Sequence, residues 1–294
     1  MPGLIDVSDE VATALAENAA VVALETTLIA HGFPAPEGVA VGLESERRVR
    51  EAGAVPATVG VLDGAIRVGL TEDDLHRFDG ARKLGPRDLA ACAVQGAVGA
   101  TTVGGTLAVA RAVGIRFMGT GGLGGVHRGF PNPPDVSADL GELARGRALV
   151  VSSGVKSLLD IPATVELLET LGIPVLGFRT DTLPLFYSAH GGPPVSARVE
   201  TVGEAARVAA THWSLDRASL LLCRPPTESI EVEPLIEEAI AAAARQGVTG
   251  QGVTPFVLSY LHEHSGGETL RVNRDLIAAN AGLAAEVASA YSAL

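Results

Sequence analysis

Lysine and cysteine are scarce in this sequence of 294 residues, and aromatic residues make up only 4% of it. Its two cysteines, Cys92 and Cys223, stand in apolar surroundings, which does not indicate a disulfide framework. No apolar run approaches the roughly 20 residues of a membrane span. The formal net charge is −12 without any dense basic stretch, so we expect no nucleic-acid partner. Because the N-terminal segment also lacks a signal-peptide pattern, we expect a cytoplasmic protein that does not bind membranes.

Apolar runs typical of buried strands alternate with helical patterns along most of the chain. This alternation predicts a largely parallel sheet with helices on both faces, because parallel strands need crossover connections. The segment TVGVLDGAIRVGL differs, since two alternating runs around Asp63-Gly64 are typical of a β-hairpin. With 47% hydrophobic residues and no linker or repeat, we predict an α/β fold with a hairpin insertion, in one domain over residues 1–294. The predicted strands include VVALETT, IRFMGT, RALVVSS, IPVLGFRT and SLLLC.

Polar clusters directly follow four of the predicted strands. In parallel sheets, ligands bind beyond the carboxyl ends of the strands, so these clusters mark the expected site. Four such clusters are more telling than any one of them alone. They are Glu25-Thr26-Thr27, Thr120-Gly121-Gly122, Ser152-Ser153 with Lys156, and Thr180-Asp181.

The segment GTGGLGG places a G-x-G-x-x-G pattern at Gly119, Gly121 and Gly124 after a predicted strand. This pattern indicates a dinucleotide-binding fold only where a helix follows at once. Here six residues separate Gly124 from Pro131, which leaves no room for a crossover helix of about 10–12 residues. We therefore interpret the segment as a loop whose backbone N–H groups approach an anion, with a tight structural turn as the alternative.

Lys83 and Lys156 are the two lysines among 22 lysine and arginine residues. A lysine is usually a solvated surface amine, but arginine supplies nearly all the ordinary positive charges of this chain. Lysine can lose its proton when it is desolvated and can form a Schiff base, so both lysines, beside predicted strand ends, are candidates for chemistry. Glu25, at the end of an apolar run, is a candidate general acid or base with a raised pKa. Helix capping or pairing with an arginine is the alternative role for Glu25.

Asp135 and Asp139 flank Ser137 in the segment PPDVSADL. One interpretation is helix capping by Asp135 or Ser137. The other is a site for a hard divalent cation, because a carboxylate with waters and ligand oxygens suits Mg²⁺ or Mn²⁺. His127 either belongs to that site or holds the loop in place, and the residues alone leave these alternatives open.

Eight segments occur in an order that is typical of a known family: ALETTLIAHGFPAPEG, VGVLDGAIRVGLT, KLGPRDLA, GATTVGGT, GTGGLGGVHRG, DVSADLGELAR, GVKSLLDIPATVELLETLGIPV and VTPFVLSYL. Together they resemble the pseudouridine-5′-phosphate glycosidase family, also called the indigoidine-synthase-A-like family, over nearly the whole chain. The resemblance implies reversible cleavage of a carbon–carbon glycosidic bond at C1 of ribose 5-phosphate. It also implies Mn²⁺ as the cofactor and a homotrimer as the assembly.

The resemblance implies roles for particular residues. Lys156 matches the lysine that forms an imine with C1 of the sugar, Glu25 matches the proton donor, and Asp135 matches the aspartate of the metal site. The other candidates are expected to bind the substrate, some of them at its phosphate. They are Lys83, Thr102, Val103, Thr120, His127, Ser137, Ala138, Asp139 and Asn280.

The sequence departs from the usual family pattern in late segments that we expect to surround the aglycone. Cys223-Arg224 replaces a small residue and an asparagine, Thr182 replaces a glutamate, and residues 279–282 read Ala-Asn-Ala-Gly in place of Asn-Asn-Ala-Arg. Unless neutral drift explains it, the loss of polar partners for uracil favours a larger or less polar aglycone. The alternative function is then a C-glycosynthase that attaches ribose 5-phosphate to an aromatic, polyketide-like aglycone. A non-catalytic sugar-phosphate binder is the second alternative.

Overall fold

The computed structural model describes residues 3–132 and 134–294, with the side chain of residue 251 outside the description. Within this part of the chain, eleven strands form one sheet. In chain order they are β1 (Ile5–Val7), β2 (Val21–Glu25), β3 (Val55–Leu62), β4 (Ala65–Val68), β5 (Arg82–Leu84), β6 (Gly99–Thr101), β7 (Phe117–Gly119), β8 (Leu149–Ser152), β9 (Val175–Phe178), β10 (Ala197–Val199) and β11 (Leu220–Cys223).

The strand order along the main path of the sheet is β1-β4-β3-β2-β7-β8-β11-β9-β10. Off this path, β6 pairs with both β3 and β5. Neighbouring strands on the main path are parallel except β3 and β4. These two form an antiparallel hairpin whose turn, Asp63-Gly64, has positive φ at both residues, as a tight primed turn requires. The predicted α/β fold with a largely parallel sheet and a hairpin insertion is therefore confirmed.

Helices connect most of the strands, and none of those in the described residues is long and apolar enough to cross a membrane. The α-helices are α1 (Asp9–Ala16), α2 (Glu37–Glu51), α3 (Glu72–Leu75), α4 (Leu89–Val94), α5 (Val103–Val113), α6 (Ala138–Arg145), α7 (Ile161–Thr170), α8 (Val202–Ser214), α9 (Glu233–Arg245), α10 (Val253–His264) and α11 (Glu268–Ser292). Shorter turns complete the set: a π-helix at Leu28–Gly32 and 3₁₀ turns at His76–Phe78, Pro86–Asp88 and Gly250–Gly252.

Alternate residues of the central strands contribute to two apolar clusters. In β8, Val150 belongs to one cluster, whereas Leu149 and Val151 belong to the other. Because side chains alternate between the faces of a strand, the two clusters cover opposite faces of the sheet. Burial on both faces explains why these strands are continuous apolar runs in the sequence. The second cluster includes much of α11, which packs against α2 and α8.

The order of the strands decides which polar clusters meet. β2, β7 and β8 are neighbours, so the clusters after them meet at one edge of the sheet. β11 separates β9 from β8, which places Thr180-Asp181 roughly 10 Å further along the sheet. The expectation that four clusters lie together is therefore wrong for the fourth. Lys83 also differs from expectation, because it lies within the three-residue strand β5.

Candidate active site

A cavity of about 680 Å³ opens at the carboxyl ends of β2, β7 and β8. Residues from distant parts of the sequence line it. Eleven of the twelve predicted site residues are among them: Glu25, Lys83, Thr102, Val103, Thr120, His127, Asp135, Ser137, Ala138, Asp139 and Lys156.

Glu25 is the last residue of β2, and its side chain is buried at the base of the cavity. The hydroxyl of Thr120, directly after the neighbouring strand β7, donates a hydrogen bond of 2.5 Å to Glu25 Oε1. Burial raises the pKa of Glu25 because it disfavours the charged form, although the charge of Lys156 and the bond from Thr120 lower it. Glu25 is therefore a buried carboxyl group that holds its proton more tightly than an ordinary glutamate.

The two lysines of the chain line the same cavity. Burial and the nearby charge of Lys156 lower the pKa of Lys83 to about 8, against the opposing influence of Asp139, Glu25 and Asp135. Lys156 follows β8 on a turn, where its backbone N–H donates to the Leu123 carbonyl oxygen at 3.1 Å. The site therefore contains two amines close enough to influence each other, of which Lys83 gives up its proton near pH 8.

The glycine at position 122, Gly122, allows the loop after β7 to lie against Lys156. A Cβ atom at this position would lie 2.4 Å from Cδ2 of Phe186 and 3.4 Å from Cγ of Lys156. The first of these distances is a severe clash, so close packing requires glycine here. The next helix in the chain, α6, begins at Ala138, so no helix follows the glycines at once. The loop therefore lacks the helix on which the dinucleotide interpretation depends.

Asp139 is the anion that the glycine loop approaches. The N–H of Gly124 donates to Asp139 Oδ2 at 3.0 Å, and the N–H of Gly104, in the first turn of α5, donates to Oδ1 at 2.8 Å. The carboxylate is buried and thus joins the glycine loop to the N-terminus of α5. The anion that the N–H of Gly124 approaches is therefore a side chain of the protein itself.

Ser137 caps α6, since its hydroxyl accepts a hydrogen bond of 3.2 Å from the Asp139 N–H. It also lines the cavity, so capping and a role in the site are compatible. His127 Nδ1 lies 4.0 Å from Asp135 Oδ2, and the His127 N–H donates to the Asp135 carbonyl oxygen at 2.9 Å. Burial lowers the pKa of His127 despite the neighbouring carboxylate. In the described part of the chain, no three His, Cys, Asp or Glu side chains converge as a metal site.

Asn280 is not among the residues that line the cavity, so its role in substrate binding stays a prediction. It lies fully buried on α11, and its Nδ2 donates to the Thr120 carbonyl oxygen at 2.9 Å and to Ser153 Oγ at 3.1 Å. The side chain thus ties α11 to the ends of β7 and β8. Thr182, Cys223 and Arg224 are not among the lining residues either, and their expected place around the aglycone stays a prediction.

Sequence reasoning missed one half of the cavity wall. This half comes from the π-helix at Leu28–Gly32 and from α10 and α11, whose apolar residues are typical of ordinary core positions. His31 also lies here, with Nε2 2.8 Å from the Ala81 carbonyl oxygen. Two exposed arginines, Arg87 and Arg145, also line the cavity. The missed lining residues include Leu28, His31, Phe33, Arg87, Arg145, Phe186, Leu258, Asn273 and Ile277.

Comparison with known proteins gives consistent family matches. The model of the family described as "Indigoidine synthase A like protein" matches residues 10–290. A pseudouridine-5′-phosphate glycosidase of Chloroflexus aurantiacus is 46% identical over 308 residues, covering 99% of this chain and 100% of the relative. Its counterpart in Streptomyces griseus is 45% identical over 293 residues, covering 96% of this chain and 91% of the relative.

Two solved structures share the fold. The prealnumycin C-glycosynthase AlnA, in complex with ribulose 5-phosphate, matches with a TM-score of 0.89 and 40% identity. The match covers 99% of this chain and 97% of the AlnA chain. An indigoidine synthase A-like protein from Thermotoga maritima matches with the same TM-score, 36% identity and the same coverage of both chains. The similarity therefore extends over the whole fold and over relatives with more than one activity.

Removing the carboxylate of Asp139 should destabilise the protein by about 3 kcal/mol or more, because two charge-assisted hydrogen bonds are lost and two backbone N–H groups lose their acceptor. The matched control is Asp160→Ala, which removes one hydrogen bond of 3.0 Å from Ala163 N–H at the half-buried start of α7. That control should cost about 1 kcal/mol. Urea denaturation of Asp139→Ala and Asp160→Ala measures both, and equal losses would contradict the bridging role of Asp139.

Proposed function

This chain belongs to the indigoidine synthase A like family and is an enzyme of C-glycoside cleavage or formation, and we propose that it acts on C1 of ribose 5-phosphate through a lysine imine. The substrate that fits this proposal best is pseudouridine 5′-phosphate, the substrate in the names of the curated relatives. The observation that carries the proposal is the presence of Lys156, Lys83 and the buried Glu25 in one cavity.

A carbon–carbon glycosidic bond needs different chemistry from an ordinary glycoside. In ordinary glycosidases a general acid protonates the oxygen of the leaving group, and a second carboxylate assists at the sugar. Carbon is a much poorer leaving atom and has no lone pair to protonate. An amine bonded to C1 of the opened sugar solves this problem, because its lone pair can form a C=N bond as the C–C bond breaks.

We assign the amine to Lys156 and the acid to Glu25. In the cleavage direction, Lys156 Nζ bonds to C1 while the bond from C1 to the ring oxygen breaks, and a proton passes from the nitrogen to that oxygen, which becomes a hydroxyl group. Glu25 then transfers its proton to the aglycone carbon attached to C1. The nitrogen lone pair then forms the imine, while the electron pair of the C–C bond returns to the aglycone ring. Water hydrolyses the imine to release ribose 5-phosphate and the free amine. The raised pKa of Glu25 supports this role, since a general acid must hold its proton until it reacts.

The phosphate would bind near the start of α5. Thr102 and Val103 lie at the start of α5, where the helix dipole favours an anion. Lys83 supplies a positive charge, and the exposed guanidinium groups of Arg87 and Arg145 line the rim. These groups would hold the phosphate and orient C1 toward Lys156.

The residues around Asp135 fit a hard divalent cation such as Mn²⁺. Such cations need one or two protein carboxylates and complete their coordination with waters and substrate oxygens. Asp135 would hold the ion, with His127 beside it. When bound, the cation would neutralise negative charge on the substrate and orient its oxygens. The homotrimer implied by the family resemblance stays a prediction.

A second candidate function is C-glycosynthesis with a larger aromatic aglycone. The apolar half of the cavity favours it, because Leu28, Phe33, Phe186 and Leu258 offer a surface for an extended ring. The structural similarity to a C-glycosynthase supports the same direction of reaction. Release of uracil from pseudouridine 5′-phosphate separates the candidates, because the second one predicts none.

Incubation with pseudouridine 5′-phosphate and Mn²⁺ should release uracil, and borohydride should trap ribose 5-phosphate on Lys156. The reason is that borohydride reduces an imine to a stable secondary amine, which peptide mass spectrometry locates. Lys156→Arg keeps the positive charge but should abolish both uracil release and trapping. The matched control is Lys83→Arg, which should still form the adduct. An adduct on Lys83, or no adduct in well-folded protein, would contradict the assignment of Lys156.

Affinity for the phosphate should fall as pH rises through about 8, since Lys83 loses its proton there and its attraction for the anion with it. Ribitol 5-phosphate is a suitable probe because it has no carbonyl group and forms no imine. Calorimetric titration should show weaker binding above pH 8 for the unmodified protein, and a flatter profile for Lys83→Arg, whose guanidinium stays charged. Identical profiles for the two proteins would rule out Lys83 as the group that titrates.

A further inference from the structure

Phe186 has a backbone conformation that is unusual for a bulky side chain. Its φ is +62°, and the other described residues with positive φ apart from glycines are Asn18, Asp63, Arg179 and Asp216, all of them polar. Phe186 is only 3% exposed and lines the cavity. Strained conformations of this kind persist only where the surrounding structure enforces them, and they cluster at functional sites. The conformation of Phe186 therefore indicates a role beyond filling space.

The turn that carries Lys156 enforces this conformation. The N–H of Phe186 donates to the Ser153 carbonyl oxygen at 2.9 Å. On the other side of Lys156 in the sequence, the hydroxyl of Ser157 donates to the Leu185 carbonyl oxygen at 2.6 Å. The strained segment is thus bonded to the turn both before and after the lysine.

The ring of Phe186 meets the side chain of Lys156 beside Gly122. A Cβ atom on Gly122 would lie 2.4 Å from Cδ2 of Phe186 and 3.4 Å from Cγ of Lys156, so the ring and the lysine stem flank the same point. The buried ring of Tyr187 packs edge to face on Phe186, with the ring centroids 4.7 Å apart. Contacts to the backbone and to the ring therefore hold Phe186 next to the stem of Lys156.

A lysine that attacks a sugar carbon needs this kind of support. Its amine stands at the end of a flexible four-carbon stem, so most of its conformations direct Nζ away from any one point. Attack requires the two reacting atoms to lie about 3–3.5 Å apart with their orbitals aligned. An apolar ring fixed against the stem reduces the number of conformations that the lysine can adopt without interacting with the sugar itself.

We propose that Phe186 is a positioning residue for Lys156, and that the hydroxyl of Ser157 holds Phe186 in its strained conformation. The ring supports the stem of the lysine, so that Nζ is directed toward C1 of the bound sugar phosphate. Because Ser157 acts through Phe186, the two residues form one unit, and the loss of either should release the same constraint. This inference deepens the proposed function and rests on it for the role of Lys156.

The test uses two variants, their combination and two matched controls. Phe186→Leu removes the ring, and Ser157→Ala removes the hydroxyl. Phe78→Leu is the control for the first, because Phe78 is a buried ring that also packs on a glycine but does not line the cavity. Ser188→Ala is the control for the second, because its hydroxyl also donates to a backbone carbonyl oxygen, at 3.0 Å, in the same loop.

Two measurements on the full-length protein separate positioning from binding. Cyanoborohydride trapping at saturating ribose 5-phosphate gives the rate of imine formation, and calorimetry gives the affinity for ribitol 5-phosphate. Phe186→Leu should slow trapping about tenfold and leave the affinity unchanged, because the geometry of attack is lost while the phosphate contacts remain. Ser157→Ala should slow trapping about threefold, and the double variant should be no slower than Phe186→Leu, because residues of one unit are not additive. Both controls should trap at the rate of the unmodified protein.

Equal trapping rates in Phe186→Leu and Phe78→Leu would overturn the inference, and so would effects that multiply in the double variant. A merely structural role would lower the unfolding midpoint without changing the rate at saturating sugar phosphate. If Phe186→Leu does not fold, Ser157→Ala decides alone, and a rate equal to that of Ser188→Ala would overturn the inference. An unmodified protein that forms no adduct would overturn it together with the proposed function, whereas normal trapping by Phe186→Leu would overturn the inference alone.

Discussion

The site depends on a carboxyl group buried between strands and facing two amines. Burial is the main cause that raises the pKa of Glu25, and the charge of Lys156 acts against that rise. The same burial lowers the pKa of Lys83, with the charge of Lys156 acting in the same direction. For both Glu25 and Lys83, burial has the largest effect on the pKa, and the neighbouring charges add to it or oppose it. A carboxyl group with a raised pKa beside the amine of Lys156 supplies the acid and the nucleophile that cleavage of a C-glycosidic bond needs.

The fold makes this combination possible by joining elements that are far apart in the sequence. Glu25 is the last residue of β2, Thr120 follows β7 and Lys156 follows β8. Because these three strands are adjacent and parallel, the three residues lie at the same edge of the sheet. Asp139 then ties the glycine loop to the start of α5. Asn280 ties α11 to the ends of the same strands. The cavity is thus held by buried polar bonds, which fix side-chain positions more tightly than apolar packing alone.

Much of this arrangement could be predicted from the sequence. Long apolar runs such as the one before Glu25 predict strands. Because ligands bind beyond the carboxyl ends of parallel strands, the sequence also predicts that Glu25, Thr120 and Lys156 lie in one site. Strand order could not be predicted, and for that reason Thr180-Asp181 was wrongly grouped with them. Three-residue strands such as β5 carry no periodic signal, so the setting of Lys83 was missed. Leu258 and Ile277 were missed because helical apolar patterns do not distinguish a core face from a cavity wall.

The central claim is that burial raises the pKa of Glu25, so that this carboxyl group donates a proton beside Lys156. Infrared difference spectroscopy between the unmodified protein and Glu25→Gln tests it most directly. The account predicts a carbonyl stretch of a protonated carboxylic acid that persists at a pH where an ordinary glutamate is ionised, shifts with deuteration and is lost in Glu25→Gln. A difference spectrum that contains only the bands of an ionised carboxylate would contradict it.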